Sequence, residues 1–197
     1  MRFSTRDRLK ALILEKCVLQ GDFVLASGQR SKVYFDCKRA TLDPEGLHLI
    51  ATLILETLDD LARRDGHPFD AIGGPTIGAD PVVGHVAGRS WERAAGNEGH
   101  GGAAPARPGG HLPAATAAAP PPLRGFLVRK ETKEHGTRRV IENDVPVGAR
   151  VAIFEDVVTT GGSTLEAIRK AEESGLEVAA VIALVDREQG GAEALAH

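Results

Sequence analysis

Two adjacent carboxylates, Glu155 and Asp156, stand shortly before a run of hydroxyls and glycines, Thr159-Thr160-Gly161-Gly162-Ser163-Thr164. Glycines let a backbone approach a ligand closely, and threonine and serine hydroxyls add donors beside the main-chain N–H groups. That composition suits a phosphate. The acid pair does not, because a carboxylate repels a phosphate; it suits vicinal hydroxyls or a Mg²⁺ ion instead. A phosphorylated ribose satisfies both halves. No GxxxxGK[ST] and no GxGxxG occurs, so neither a Walker loop nor a dinucleotide fingerprint is present. An acidic strand end with an ordinary turn would explain either half alone, but not the ordered combination.

The flanks supply the elements that would position these groups. Val151–Phe154 is an apolar run of buried-strand length, and LEAIRKAEESG after the loop reads as a helix stopped by Gly175. In strand, polar turn, helix order, backbone N–H groups and the positive helix end converge on an anion. A second constellation is Arg124–Arg139, which holds six Arg or Lys residues and two acids within a chain of net charge −3. A solvated charged hairpin is the plain reading. The chemical one is a mobile loop bringing Arg129, Lys130, Lys133 and His135 to a diphosphate, with Gly136 as hinge.

The remainder follows an α/β rhythm. A helix is expected over Arg6–Leu19, and two short strands around a polar turn at Ser27–Ser31. Asp43-Pro44 is a capped helix start, and the apolar stripe from Leu47 carries that helix to Arg64. Phe69–Gly73 reads as a strand, GPTIGADP as a loop and Val82–Ala87 as a helix. Gly125–Val128, Val151–Phe154 and Val178–Val185 are further strands. Near-continuous apolar strands between helices predict a mainly parallel central sheet flanked by helices. At 197 residues, a single domain over residues 1–197 is expected. Ala94–Leu123 departs from the pattern: 22 of its 30 residues are Ala, Gly or Pro, which predicts a flexible surface insertion without a part in the chemistry.

Bulk properties exclude several classes. The net charge of −3 argues against a general nucleic-acid binder. Cys17 and Cys37 have no metal-ligand spacing and read as reduced thiols. The start, MRFSTRDRLK, leads into only a short apolar stretch, and no apolar run reaches the roughly 20 residues of a membrane span. A soluble, cytoplasmic protein is expected, without membrane or nucleic-acid partners.

Val151–Thr164 resembles the phosphoribosyl diphosphate (PRPP) binding motif of type I phosphoribosyltransferases. Arg129-Lys130-Glu131, Lys133 and His135-Gly136 resemble the catalytic loop of the orotate phosphoribosyltransferase family. Ser27-Gly28, Ser31, Tyr34, Phe35 and Asp36 are similar to that family's small N-terminal hood. Gly74-Pro75-Thr76 with Gly78–Pro81 resembles its diphosphate loop, and Asp186-Arg187-Glu188 its orotate-binding segment. The likeness covers almost the whole chain outside the insertion.

The resemblance implies transfer of phosphoribosyl from PRPP to orotate, giving orotidine 5′-monophosphate and diphosphate. It puts PRPP on Glu155, Asp156, Val157, Val158, Thr159, Thr160, Gly161, Gly162 and Ser163. Orotate would lie on Thr159, Arg187, Tyr34 and Phe35, where arginine's planar fork matches a carboxylate. Arg129, Lys130, Lys133 and His135 would be catalytic. Mg²⁺ would arrive through PRPP, with no direct protein ligand assigned, and a homodimer would share the loop across subunits. Two departures stand out: Ala26 and the Pro75–Gly78 loop lack lysines that some members carry, which shifts diphosphate contacts to the catalytic loop. Relatives also usually continue into another helix and strand, whereas His197 here follows soon after Asp186-Arg187. A purine phosphoribosyltransferase and a PRPP-binding regulator of the same fold are the rival readings. Lys133→Ala should lower kcat for this transfer by orders of magnitude while leaving the melting temperature unchanged; near-normal turnover would remove the loop from the chemistry.

Overall fold

In the computed structural model, residues 4–24, 28, 30–96, 121–130 and 140–196 are described. Helix α1, Thr5–Lys16, starts at Ser4, whose hydroxyl accepts from the Asp7 N–H. Its buried face carries Leu9 and Leu12. The expected helix ran to Leu19, but α1 ends sooner because Val18 and Leu19 enter strand β1, Val18–Val24. There they pair with Phe35 and Tyr34 of β2, Arg30–Phe35, in an antiparallel ribbon with an irregularity between Gln20 and Phe23. Cross-strand pairing overrides a helical stripe that had reached its last turn.

A short helix α2, Lys38–Thr41, was not foreseen; it leads into α3, Pro44–Asp65. Asp43 caps α3 by accepting from the Gly46 N–H at 2.9 Å, and Gly66 closes it with a φ of 77°. Gly46 is required by close approach, since a Cβ there would lie 2.4 Å from the Ala40 carbonyl oxygen. Helices α2 and α3 are thereby held tightly together.

Strand β3 is Ala71–Pro75, followed by α4, Asp80–Ala94. Then come β4, Arg124–Val128, and a short β5, Ile141–Glu142. The chain continues through β6, Arg150–Val158, α5, Gly162–Glu173, β7, Glu177–Asp186, and α6, Gly191–Leu195. The sheet order is β5-β4-β3-β6-β7, parallel except for the antiparallel β4–β5 pair. The expected mainly parallel sheet is therefore observed. The expected insertion begins within α4, and at its far end the Leu123 N–H donates to Ser90 Oγ at 2.9 Å. The rest of that segment, residues 97–120, lies outside the described residues.

Strand β6 divides the core by simple alternation. Ala152 and Phe154 pack with α1, α3 and α4 on one face, while Val151 and Ile153 pack with Ala167 and Ala171 of α5 on the other. All four β6 residues are at most 1 % exposed, and burying a side chain such as Ile153 stabilises the fold by roughly 1.5–3 kcal/mol. Both cysteines are buried and free, and burial pushes the Cys37 thiol up to about 12. No helix among the described residues is long and apolar enough to cross a membrane. A thiol reagent such as DTNB should therefore titrate neither cysteine in the native protein and both in guanidinium; fast native labelling would contradict this burial.

Candidate active site

The expected strand Val151–Phe154 runs four residues further, to Val158, so Glu155 and Asp156 belong to β6 itself. Neighbours on a strand point to opposite faces. Glu155 continues the Val151–Ile153 side and faces the start of α5, where Ser163 Oγ and Thr164 Oγ1 donate to its Oε2 at 3.0 and 3.1 Å. Asp156 emerges on the other side, beside the Pro75–Gly78 loop. A Cβ on Gly78 would lie 2.6 Å from Asp156 Oδ1, so glycine is what lets loop and carboxylate meet. The split follows from strand parity; the sequence reading did not reach it because it ended the strand before the acids.

Between β6 and α5 the chain turns through Thr159–Gly161, with Gly161 at a φ of 81° as the N-cap. That left-handed position costs a side-chain-bearing residue about 1 kcal/mol or more. Leu165 N–H donates to the Gly161 carbonyl at 2.8 Å, which leaves the first N–H groups of α5 unused within the helix and pointing outward. With the helix dipole they give the region in front of Thr159–Ser163 a positive character that suits an anion. Gly191 of α6 backs this turn, and a Cβ there would come within 2.5 Å of the Thr159 carbonyl oxygen. Thr164 is fully buried and Thr160 exposed.

A cavity of about 200 Å³ lies against this turn, lined by Lys38, Pro75, Thr76, Gly78, Lys130, Glu155, Asp156 and Ser163. Larger apolar clefts exist, including one of about 410 Å³ between α1, α3 and β7, but they contain none of the phosphate-turn groups. Lys38 was missed by the sequence reading. Its position two residues past Asp36, just beyond a hood strand, was the available signal.

The remaining predicted residues fall into two groups. Arg187 follows β7 and is tied to β6 through its N–H and the Val158 carbonyl at 2.9 Å. Its guanidinium lies over the Phe35 ring at 6.0 Å, which brings two of the expected orotate residues together. Tyr34 turns elsewhere: its ring packs against Phe23 with centroids 5.4 Å apart. Arg129 ion-pairs with Glu142 of β5, and its N–H donates to the Val140 carbonyl at 3.0 Å. Lys170 of α5 donates to the carbonyls of both Arg129 and Lys130, at 2.9 and 2.8 Å. These contacts anchor the point where the chain leaves β4. Lys133, His135 and Gly136 lie outside the described residues.

Burial is the main influence on Glu155 and raises its carboxyl above the ordinary glutamate range; the Ser163 and Thr164 hydroxyls oppose this and Asp156 adds to it. Folding then favours proton uptake, so this group supports stability at acid pH and loses that support as pH rises through its folded pKa. Glu155→Gln keeps an acceptor for the two hydroxyls without the buried charge. Its melting temperature should equal or exceed that of the parent at neutral pH, and the difference should vanish near the ordinary glutamate value of 4.5. Glu155→Ala should lose about 1–3 kcal/mol, because both hydroxyls are left without their acceptor. Thermal melts across pH test both; a glutamine variant that melts well below the parent at neutral pH would show that the charge itself holds the turn.

No family model matches the chain. It is 38% identical over 197 residues to the orotate phosphoribosyltransferase of Bradyrhizobium sp. (strain ORS 278), covering 98% of this chain and 89% of the relative. The enzyme of that name from Sorangium cellulosum (strain So ce56) is 40% identical over 195 residues, with 98% and 85% covered. The crystal structure of Mycobacterium tuberculosis orotate phosphoribosyltransferase in complex with PRPP superposes with a TM-score of 0.66 at 29% identity, covering 98% of this chain and 90% of that one. Such identity over nearly the full length of several relatives, with a superposable fold, places the molecule: the chain belongs to the orotate phosphoribosyltransferase family and has the type I phosphoribosyltransferase fold.

Proposed function

We infer that the chain transfers the 5-phosphoribosyl group from PRPP to orotate, yielding orotidine 5′-monophosphate and diphosphate, a step of pyrimidine synthesis. The observation that carries this is the junction of β6 and α5, where an anion-binding turn, a cavity and the Asp156 carboxylate adjoin one another. The PRPP complex of the Mycobacterium tuberculosis relative supports the donor, and the names of the relatives support the acceptor.

In this reading the 5′-phosphate sits on Thr159–Ser163 and the first N–H groups of α5. Asp156 takes the ribose hydroxyls from the cavity side. Glu155, at the same strand end, acts mostly by holding Ser163 and Thr164, and so fixes the turn against which the phosphate rests. Orotate lies against Phe35, with its carboxylate on the Arg187 fork and Thr159 at its edge, while the Tyr34 ring stays packed on Phe23. Its ring nitrogen attacks the anomeric carbon as the diphosphate departs from the opposite face. The carbon–oxygen bond to diphosphate breaks, the carbon–nitrogen bond forms, the departing group takes the electron pair, and the proton of the attacking ring nitrogen passes to the diphosphate or to solvent. Positioning and stabilisation of the departing charge supply most of the rate. Arg129, Lys130, Lys133 and His135 are the cations proposed for that charge.

Asp156 also fits a Mg²⁺ ion of the kind that meets one or two carboxylates and takes its other ligands from substrate phosphates and water. Bound there with PRPP, the ion would neutralise part of the diphosphate charge. A homodimer with residues of Arg129–Gly136 reaching the neighbouring subunit, a cytoplasmic location, and one domain in which Ala94–Leu123 has no part in the chemistry complete the proposal; each rests on the family resemblance and on composition.

Adding PRPP and Mg²⁺ with orotate, adenine or hypoxanthine in turn, and following diphosphate release, tests the acceptor. Release is expected with orotate alone. Release with a purine would favour the purine-type reading, and retention on DNA without any release would favour a regulator.

A further inference from the structure

The cavity beside Asp156 has to receive a diphosphate carrying several negative charges, yet two of its lining residues are themselves acids. Among the described residues the cations that line it are Lys38 and Lys130. Arg129 pairs with Glu142 and is not among the residues lining this cavity, and the Pro75–Gly78 loop brings no charge. Lys38 is therefore the cation that the N-terminal part of the chain contributes to this wall.

Its mounting is rigid. Lys38 opens α2, preceded by Cys37 at 1 % exposure and followed by Ala40 and Thr41, both fully buried. The close approach of Gly46 to the Ala40 carbonyl locks this turn onto α3. The side chain itself remains 56% exposed, with Nζ 3.1 Å from Asp36 Oδ1. Asp36 is shared, because Arg39 Nε lies 3.4 Å from its other oxygen. One carboxylate thus faces two cations and cannot neutralise both. Asp36 chiefly, with Tyr34 and Asp156 more weakly, holds the Lys38 ammonium above the usual lysine range, so it stays charged throughout the working pH range.

We propose that Lys38 is a binding residue for the diphosphate of PRPP and of the released product, supplying from the end of the hood a positive charge to the cavity beside Asp156. The inference rests on the reading that the chain uses PRPP. A positioned ammonium meets a diphosphate as a compact charge with three donors, and its pairing with Asp36 aims it without cancelling it. Because α2 belongs to the packed core, this contact exists independently of the 131–139 segment.

The test compares the intact protein with Lys38→Gln and Lys38→Arg. Inorganic pyrophosphate with Mg²⁺ is titrated by calorimetry, KM and kcat are measured for PRPP and orotate separately, and melting temperatures are recorded. Lys38→Gln should weaken pyrophosphate binding and raise the PRPP KM by roughly ten- to hundredfold, with the orotate KM within about twofold of the parent. Lys38→Arg should recover most of the loss, and melting temperatures should match. Unchanged pyrophosphate and PRPP affinity in a folded Lys38→Gln would overturn the assignment. So would an equal loss toward both substrates with a lower melting temperature, which marks a structural role. If the parent protein releases no diphosphate with orotate and PRPP, the functional reading fails instead; the calorimetric comparison still decides whether Lys38 faces a diphosphate.

Discussion

The site depends on one buried interaction, the acceptance by Glu155 of the Ser163 and Thr164 hydroxyls. It ties the last turn of β6 to the first turn of α5, so the intervening residues have little freedom in where they place their N–H groups. A carboxylate only 5 % exposed carries a desolvation cost that is tolerable because it accepts from two hydroxyls of the first turn of α5. Thr164 is fully buried and its hydroxyl cannot face a ligand, whereas Ser163 is exposed and also lines the cavity beside Asp156. A motif read as one surface of donors thus has a buried part that fixes shape, Thr164, and an exposed part at Thr160 and Ser163.

Everything else is arranged around that turn by the sheet. Parallel strands β3, β6 and β7 deliver their C-terminal ends to one edge, where ligands of open α/β sheets bind. From β3 comes the Pro75–Gly78 loop, from β6 the acid pair and the phosphate turn, and from β7 Arg187. The antiparallel hairpin of β1 and β2 then adds Phe35 from above and Lys38 just after it. Glycines mark where these pieces crowd: Gly78 against Asp156, and Gly191 against the turn itself.

Charge is distributed with the same economy. The chain is acidic overall, and the cavity holds two acids, so a polyanionic substrate is accommodated only by cations brought locally. Some make structural contacts: Arg129 with Glu142, Arg150 with Asp65 and the Phe69 ring, and Lys170 with the carbonyls at the end of β4. Lys38 and Lys130 differ in lining the cavity.

Much of this was legible from residue types alone. Asp43-Pro44 announced a helix start because a capping carboxylate and a proline without an N–H are favoured only there, and the apolar runs announced parallel strands because both their faces are buried. The phosphate turn was legible because hydroxyls, glycines and a following helix are local in sequence. Val18 and Leu19 were misplaced because a pairing partner some 16 residues away decides their conformation; α2 and β5 were missed because elements so short carry no period. The family likeness of Lys133 and His135 still rests on sequence, since they fall outside the described residues. The sequence by itself determined the chemistry on offer: hydroxyls and glycines at Thr159–Ser163, a carboxylate at Asp156 and a guanidinium at Arg187. Only the tertiary structure decided how two neighbouring acids divide, Glu155 bonded to the helix start and Asp156 against the Pro75–Gly78 loop, and that Lys38 lines the same cavity. The reason is that a side chain's face depends on where its strand ends and what packs there, and neither is written in its immediate neighbours.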